Sequence, residues 1–272
     1  MIDYHHHSAC SVDSTASMAA ICEAAIARGV TEIAFTEHMD FIPEQQNTGY
    51  FAYDRYMREV AACRRRYDGR LVVLAAVEID YCPDFEDEIA AWMHGKEFDF
   101  VVGSVHYLRG KGNISEPRAA GFFRGKDIEE AYGEYFEVVR RSAEFGLWDA
   151  LGHLDLVKRY GVRRFGAFDR AAFADVIDDI LHAIIRHGMA LEVNASGLRQ
   201  GPAETYPAPA ILLRYRELGG MGLSVGSDSH AAQDVGRGVS DALRIARDLG
   251  FTSVLRFRER RSMVVPIDEI VS

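Results

Sequence analysis

Short apolar runs rich in β-branched and aromatic residues alternate along the chain with longer stretches whose apolar residues recur at helical spacing. The pattern predicts a strand at Ile2 to Tyr4, then a helix from Met18 to Arg28 stopped by Gly29. Thr31 to Phe35 reads as the next strand, emerging at Thr36-Glu37-His38, and Asp54 to Tyr67 as a helix. Leu71 to Val77 is a continuous apolar run, as expected of a strand buried on both faces. A helix from Pro83 and Asp84 to Trp92, a strand at Phe98 to Val102 and a strong helix from Asp127 to Phe145 follow. The remaining units are strands at Trp148 to Leu151, Met189 to Val193, Gly222 to Val225 and Ser253 to Phe257. Helices between them are expected at Phe168 to His187, after the prolines at 202, 207 and 209 as far as Leu218, and at Ser240 to Leu249. Two segments break the rhythm: the polar loop Asp40 to Tyr50, and the glycine-rich stretch Tyr107 to Arg124, which is long enough for a lid.

Seven or eight strand–helix alternations predict a parallel α/β fold, and a (β/α) barrel suits this length better than an open sheet. The open doubly wound alternative lacks a G-x-G-x-x-G turn after its first strand. With 272 residues, 48% of them hydrophobic, the chain can bury one large core, and we expect a single domain over residues 1–272. It has no apolar run long enough to span a membrane and no signal-like start. Four cysteines without metal-type or disulfide-type spacing fit a reducing cytosol, so a cytoplasmic location is expected. A net charge of −10 disfavours nucleic acid as a partner, and the basic runs Arg64–Arg66 and Arg258-Glu259-Arg260-Arg261 read as solvated surface. Nothing in the pattern sets an oligomeric state.

The chemistry lies at the strand ends. In a parallel barrel, all the C-terminal ends open on one face. Leaving them in order are His5 and His7, His38, Glu78, His106, His153, the stretch Asn194 to Arg199, and Asp228 with His230. One such histidine is more often a hydrogen-bonded structural residue than a ligand, and a triple histidine at a chain start also fits an appended tag. The other four histidines serve as a control: His6 is out of phase, and His94, His182 and His187 fall on helices or at their ends. Recurrence at successive exits favours a metal centre. Imidazole and carboxylate donors without cysteine suit zinc, manganese or iron in an open site. So many ligands imply two or three divalent ions sharing a carboxylate, a device that clamps phosphoryl oxygens and generates hydroxide near neutral pH. Arg159 and Arg199, beyond strand exits, are candidates to hold phosphate oxygens, although either alone is more often a surface residue.

The stretches Asp3-Tyr4-His5-His6-His7-Ser8, Thr36-Glu37-His38, Val77-Glu78-Ile79-Asp80, Gly103-Ser104-Val105-His106, Gly152-His153-Leu154-Asp155 and Gly226-Ser227-Asp228-Ser229-His230 resemble, in order, the motifs of the polymerase-and-histidinol-phosphatase (PHP) superfamily. Gly152 through Tyr160, and Glu192 to Arg199 followed by Tyr206-Pro207, resemble its histidinol-phosphatase branch. The likeness covers nearly the whole chain. It implies a distorted seven-stranded (β/α)7 barrel of the TIM-like kind with a three-metal centre. One ion would take His5, His7, Glu78 and Asp228; a second would share Glu78 and take His106 and His153; the third would take Asp13, His38 and His230. Many relatives have histidine where Asp13 stands, and here its local sequence also reads as a helix cap. The Thr-Glu-His motif departs from the commoner Thr-Asp-His, and Glu37 is expected to turn away from the metals.

The resemblance further implies a metal-dependent phosphomonoesterase acting on a small phosphorylated substrate, L-histidinol phosphate of histidine biosynthesis. Attack by metal-bound hydroxide without a phosphoenzyme is expected, because no serine or cysteine nucleophile has a base partner. Asp228 or His230 is the candidate proton donor to the leaving group, and Asp40, Glu44 or Asp80 the candidate contact for the substrate's amine and imidazole. Three other readings stand beside this one. A related phosphoesterase could act on nucleotides or short oligonucleotides. A metal amidohydrolase would typically want a lysine at a central strand exit. A non-catalytic metal-binding module would hold metal without turnover.

Overall fold

The apolar runs fold as strands that pair in parallel, in the order in which they occur. In the computed structural model, which describes residues 1–271, the strands are β1 (Ile2–Asp3), β2 (Glu32–Met39), β3 (Val72–Asp80), β4 (Phe100–Ser104), β5 (Tyr107–Leu108), β6 (Gly112–Asn113), β7 (Ala150–Leu151), β8 (Ala190–Asn194) and β9 (Leu223–Gly226). Seven of these form one sheet in the order β1-β2-β3-β4-β7-β8-β9, all parallel, while β5 and β6 form a small separate hairpin. The sheet curls until its edges meet. Tyr4 N donates to Val225 O and His7 N to Ser229 O, both at 2.9 Å, and His6 pairs in parallel with Ser229. Gly226 permits that seam, since a Cβ there would lie 2.3 Å from the Cβ of His5. The result is a single mixed α/β domain built on a nearly closed seven-stranded barrel.

Helices α1 (Met18–Ala27), α2 (Tyr53–Arg66), α3 (Glu86–Met93), α4 (Ile128–Phe145), α5 (Lys158–Phe165), α6 (Ala174–His187), α7 (Pro209–Glu217) and α8 (Val239–Asp248) connect the strands. Their ends follow local chemistry: Ser17 caps α1 by accepting from Ala20 N, and Asp127 caps α4 through Glu130 N at 2.8 Å. Gly146 and Gly188, both left-handed, stop α4 and α6. No helix among the described residues is long and apolar enough to cross a membrane.

Besides the β5–β6 hairpin inside the stretch expected as loop, the structure departs from the sequence expectations mainly in three places. Strands β2 and β3 run on to Met39 and Asp80, past the predicted ends at Phe35 and Val77, because their polar tips stay buried in the ladder. Helix α5 was not anticipated; its basic, weakly apolar sequence masks the helical period. The last predicted strand lies outside the barrel. Ser253–Arg258 (β10) pairs antiparallel with an unanticipated strand, Arg261–Pro266 (β11), through a turn with Glu259 and Arg260 at positive φ. The charged run is exposed from Glu259 to Arg261, as expected, and forms a hairpin turn.

That hairpin closes the N-terminal end of the barrel. Phe257 packs on Phe100 at 4.6 Å and on Tyr4 at 6.2 Å between ring centroids. Arg258 forks onto Glu32 at 2.9 and 2.6 Å, and Arg260 onto Asp149 at 3.0 and 3.1 Å. Ligand-type residues gather at the other end, so damage here should separate stability from chemistry. Phe257→Ala is expected to cost about 3–5 kcal/mol of unfolding free energy in denaturant titrations, with metal content at the parent level.

Candidate metal centre

Parallel pairing sets the ligands in register: His38 lies beside Glu78, and the same ladder carries Val102 on the next strand. Glu78 is the hub. Its Oε2 lies 3.0 Å from His38 Nδ1, 3.3 Å from His5 Nε2 and 3.5 Å from His7 Nε2. Its Oε1 lies 2.9 Å from His153 Nε2 and 3.5 Å from His106 Nε2, and accepts from Ser104 Oγ at 2.6 Å. Asp228 Oδ1 is 3.6 Å from His7 Nε2 and 3.9 Å from His5 Nε2. Asp13 Oδ2 stands 3.1 Å from His230 Nε2 and 3.3 Å from His38 Nε2. All nine residues expected as ligands are thus brought to one place.

Among the described residues, four overlapping groups have donor atoms within 4.8 Å of one another: His5, His7 and Asp228; His5, Glu78 and His153; His38, Glu78 and His106; His7, His38 and His230. His5 Nε2, His7 Nε2 and Glu78 Oε2 are buried without a hydrogen-bond partner. Buried polar atoms left unpaired are costly, and unpaired atoms aimed into a shared imidazole–carboxylate space fit divalent cations. The charge balance agrees. Burial alone would raise the pKa of Glu78, but His5, His106 and His38 outweigh it and hold the carboxyl well below its usual range; His5, His7 and His230 do the same for Asp228. Burial would lower His5, yet Glu192, Glu78 and Asp228 together raise it well above the ordinary histidine value, and Asp13 and Glu78 do so for His38. Burial pushes His106 down to about 3, and His7 is lowered well below normal by burial, His38 and His230. The pocket attracts positive charge and takes it as protons where it can.

A second tier of carboxylates holds these ligands. Glu192, which the sequence reading did not single out, accepts from His5 Nδ1 at 2.5 Å and His153 N at 2.7 Å. Its signal was available, since it lies two residues before Asn194, in strand phase with that exit residue. Asp80 accepts from His106 N at 2.7 Å and is hydrogen-bonded by Gln45, so it braces a ligand. Glu37 turns away from the centre, accepting from Ser8 N at 3.0 Å and Ser11 Oγ at 2.7 Å. His6 is bound between Asp3 Oδ2 at 2.9 Å and Ser229 Oγ at 2.7 Å, while His94, His182 and His187 are exposed and remote from these groups. Asp228 itself sits at φ 51°, a left-handed conformation that aspartate tolerates better than most residues.

Above the ligands opens a cleft of about 350 Å³. Asp40, Asn47, Arg159 and Tyr160 join the ligands in its walls, and the Tyr107–Arg124 stretch contributes Asn113, Ser115, Glu116 and Pro117. Asp40, one of the expected substrate contacts, is pushed up to about 6 by burial against the pull of His38. Glu44 lines an adjoining cavity instead. Arg159 faces the cleft. Arg199 is placed differently: its Nη2 donates to Ser227 O at 2.5 Å and Asp228 O at 3.1 Å, bracing the ligand-bearing turn. A larger cavity of about 570 Å³ at the far end of the barrel, among Arg64, Asp99 and Arg258, gathers no ligand cluster, so chemistry assigns the smaller cleft as the functional site.

Comparison with known proteins points the same way. The PHP domain family model matches residues 3–196. A probable histidinol-phosphatase of Deinococcus radiodurans is 31% identical over 265 residues, spanning 96% of this chain and 98% of its own. The histidinol-phosphatase of Lactococcus lactis subsp. lactis is 29% identical over 260 residues, 94% of either chain. A crystal structure of histidinol phosphate phosphatase from that organism, complexed with zinc, L-histidinol and phosphate, covers 96% of this chain with a TM-score of 0.85 and 26% identity.

Because His5 and His38 have raised pKa values and imidazole must be neutral to coordinate, protons compete with metal. Affinity for zinc is therefore expected to rise from pH 6 to pH 8, with protons released on binding. Calorimetry in two buffers of different ionisation enthalpy reads this directly; pH-independent affinity would contradict the charge balance above. Chelation should lower Tm by on the order of 5–10 °C.

Proposed function

The chain belongs to the PHP domain family, and on that basis we propose that it is a divalent-metal-dependent phosphomonoesterase that hydrolyses L-histidinol phosphate to L-histidinol and phosphate. The observation that carries the reading is the joint one: full-length likeness to histidinol-phosphatases, with nine ligand-type side chains converging beneath one cleft. Two or three ions of zinc, manganese or iron would occupy the centre. His5, His7, Glu78 and Asp228 would hold one, Glu78, His106 and His153 a second, and Asp13, His38 and His230 a third. When bound, such ions supply Lewis acidity to phosphoryl oxygens and lower the pKa of coordinated water towards neutrality.

The chain's own side chains divide the remaining work. Arg159, in the cleft wall, offers a guanidinium whose N–H groups match two phosphate oxygens. Arg199 would meet the phosphate from the turn it braces, using N–H groups not given to the Ser227 and Asp228 carbonyls. Asp228 is held ionised, so it has no proton to give the leaving group. His230, half-buried at the cleft, would be the proton donor to the leaving alkoxide in a two-ion centre, where it does not hold the third ion. Asp40 and Glu116 line the same cleft and supply carboxylates for the cationic amine and imidazole of the substrate.

Purified without a His tag and assayed for metal, the protein should release phosphate from L-histidinol phosphate at kcat/KM of about 10⁴ M⁻¹s⁻¹ or more. Turnover should stop with chelator and exceed that of p-nitrophenyl phosphate and a nucleotide. Weak, unselective turnover with metal bound would leave the centre standing and sink the substrate assignment. Arg159→Ala and Arg199→Ala should each raise KM about tenfold with a smaller change in kcat. Should Arg199→Ala lose metal instead, its role would be confined to bracing Asp228.

A further inference from the structure

We propose that Lys158, clamped between Asp155 and Glu204, is a positioning residue that fixes the two arginine-bearing segments relative to each other and so sets phosphate affinity without touching substrate. The proposal rests on the phosphatase reading above. Lys158 is 0% exposed, yet its ammonium donates to Glu204 Oε1 and Thr205 O, both at 2.9 Å, and is ion-paired with Asp155 Oδ2 at 2.8 Å. The ring of Tyr206 stands 5.1 Å from the ammonium. Nothing in the metal centre uses this cluster, and Lys158 does not line the cleft.

Its place in the chain gives it a purpose. Lys158 opens α5, one residue before Arg159 and five after the ligand His153. Glu204 and Thr205 lie on the segment that follows Arg199 out of β8. The two segments are in close contact: a Cβ on Gly201 would come within 2.9 Å of Arg159 O. Asp155 reinforces the join by accepting also from Ala208 N at 2.8 Å, and Tyr206 exchanges backbone bonds with Asn194 at 2.7 and 3.0 Å. Among the described residues the ammonium is thus the one charged tie between the segment carrying Arg159 and the segment carrying Arg199.

Energetics separates positioning from stability. Taking an ammonium out of water costs several kcal/mol, and well-packed apolar side chains of similar volume often hold segments together as well or better. What the buried ammonium adds is direction, since its two hydrogen bonds and its ion pair with Asp155 together favour one register of the segments. A guanidinium displaced by about 1 Å loses much of its paired geometry with a phosphate, an error that can cost up to about a hundredfold in rate or affinity.

The test uses the full-length, metal-loaded protein and two variants. Lys158→Met removes the tie at similar volume; Glu204→Gln, at a half-buried position, weakens it without leaving a buried cavity. KM and kcat for L-histidinol phosphate, the Kd of inorganic phosphate by calorimetry, and metal content are measured for each. Lys158→Met should raise KM and the phosphate Kd together by about tenfold, with kcat within about threefold and metal content unchanged. Glu204→Gln should shift both in the same direction by less. Unchanged KM and phosphate Kd would overturn the proposal, as would loss of metal and kcat at constant phosphate Kd. If Lys158→Met does not fold, Glu204→Gln decides by the same two readings. A parent protein that ignores L-histidinol phosphate would defeat the substrate assignment instead, while the phosphate Kd would still report on Lys158.

Discussion

One carboxylate governs the active end of this molecule. Glu78 is almost fully buried, yet five imidazole nitrogens lie within 3.5 Å of its two oxygens. A buried carboxylate without such neighbours would take a proton; here the neighbours keep it ionised, and the ionised group in turn raises His5 and His38. Such mutual dependence can be built only where several strands end together. β3 lies between β2 and β4, so its tip is the one point that histidines from both sides and from β1 can reach. The barrel is the means by which residues from position 5 to position 230 become neighbours of one carboxylate.

Holding that cluster requires a second set of acids facing outward. Glu192 fixes the orientation of His5, Asp80 holds the backbone of His106, and Glu37 gathers Ser8 and Ser11 beneath the loop that leads to Asp13. Asp3 accepts from Ser227 N and Gly236 N, both at 2.7 Å, tying β1 to the turn that bears Asp228. Glu192, bonded to the imidazole ring of His5, raises that residue's basicity and restricts its ring orientation, while the others fix backbone and serine hydroxyls. The buried acids at this end accordingly fall into two kinds, those turned to the shared space and those turned to backbone amides.

The sequence exposed the first kind more readily than the second. His5, His7, His38, His106 and His153 announced themselves because each stands just past an apolar run, where a polar residue needs a reason. Of the outward acids, Glu37 was expected to turn away because Thr-Glu-His departs from the commoner Thr-Asp-His, whereas Asp80 sits beside Glu78 and looks like part of the same polar exit. Strand lengths were underestimated for the same reason: Thr36 to His38 and Glu78 to Asp80 are polar, yet they continue the ladder in full burial. The β10–β11 hairpin escaped because its turn, Glu259 and Arg260, reads as surface charge, and only the far-off partners Glu32 and Asp149 show that those arginines are tied down. Lys158 escaped for a related reason. A lysine in the basic run Lys158-Arg159 reads as solvated, and its burial depends on acids 3 residues before it and 46 residues after it.

The two ends of the barrel solve opposite problems with the same sheet. At the N-terminal end, Tyr4, Phe100 and Phe257 exclude water and the arginine forks sit at the rim, so closure there is a matter of packing. At the C-terminal end the closing seam between β1 and β9 carries few backbone bonds; Asp3 and His6 reach across it to Ser227 and Ser229, and His5 and His7 meet Asp228 there. These last three form one of the ligand groups, so a cation held among them would add a link between the first strand and the last, beside the backbone bonds that already close the seam where a two-residue first strand offers little pairing of its own.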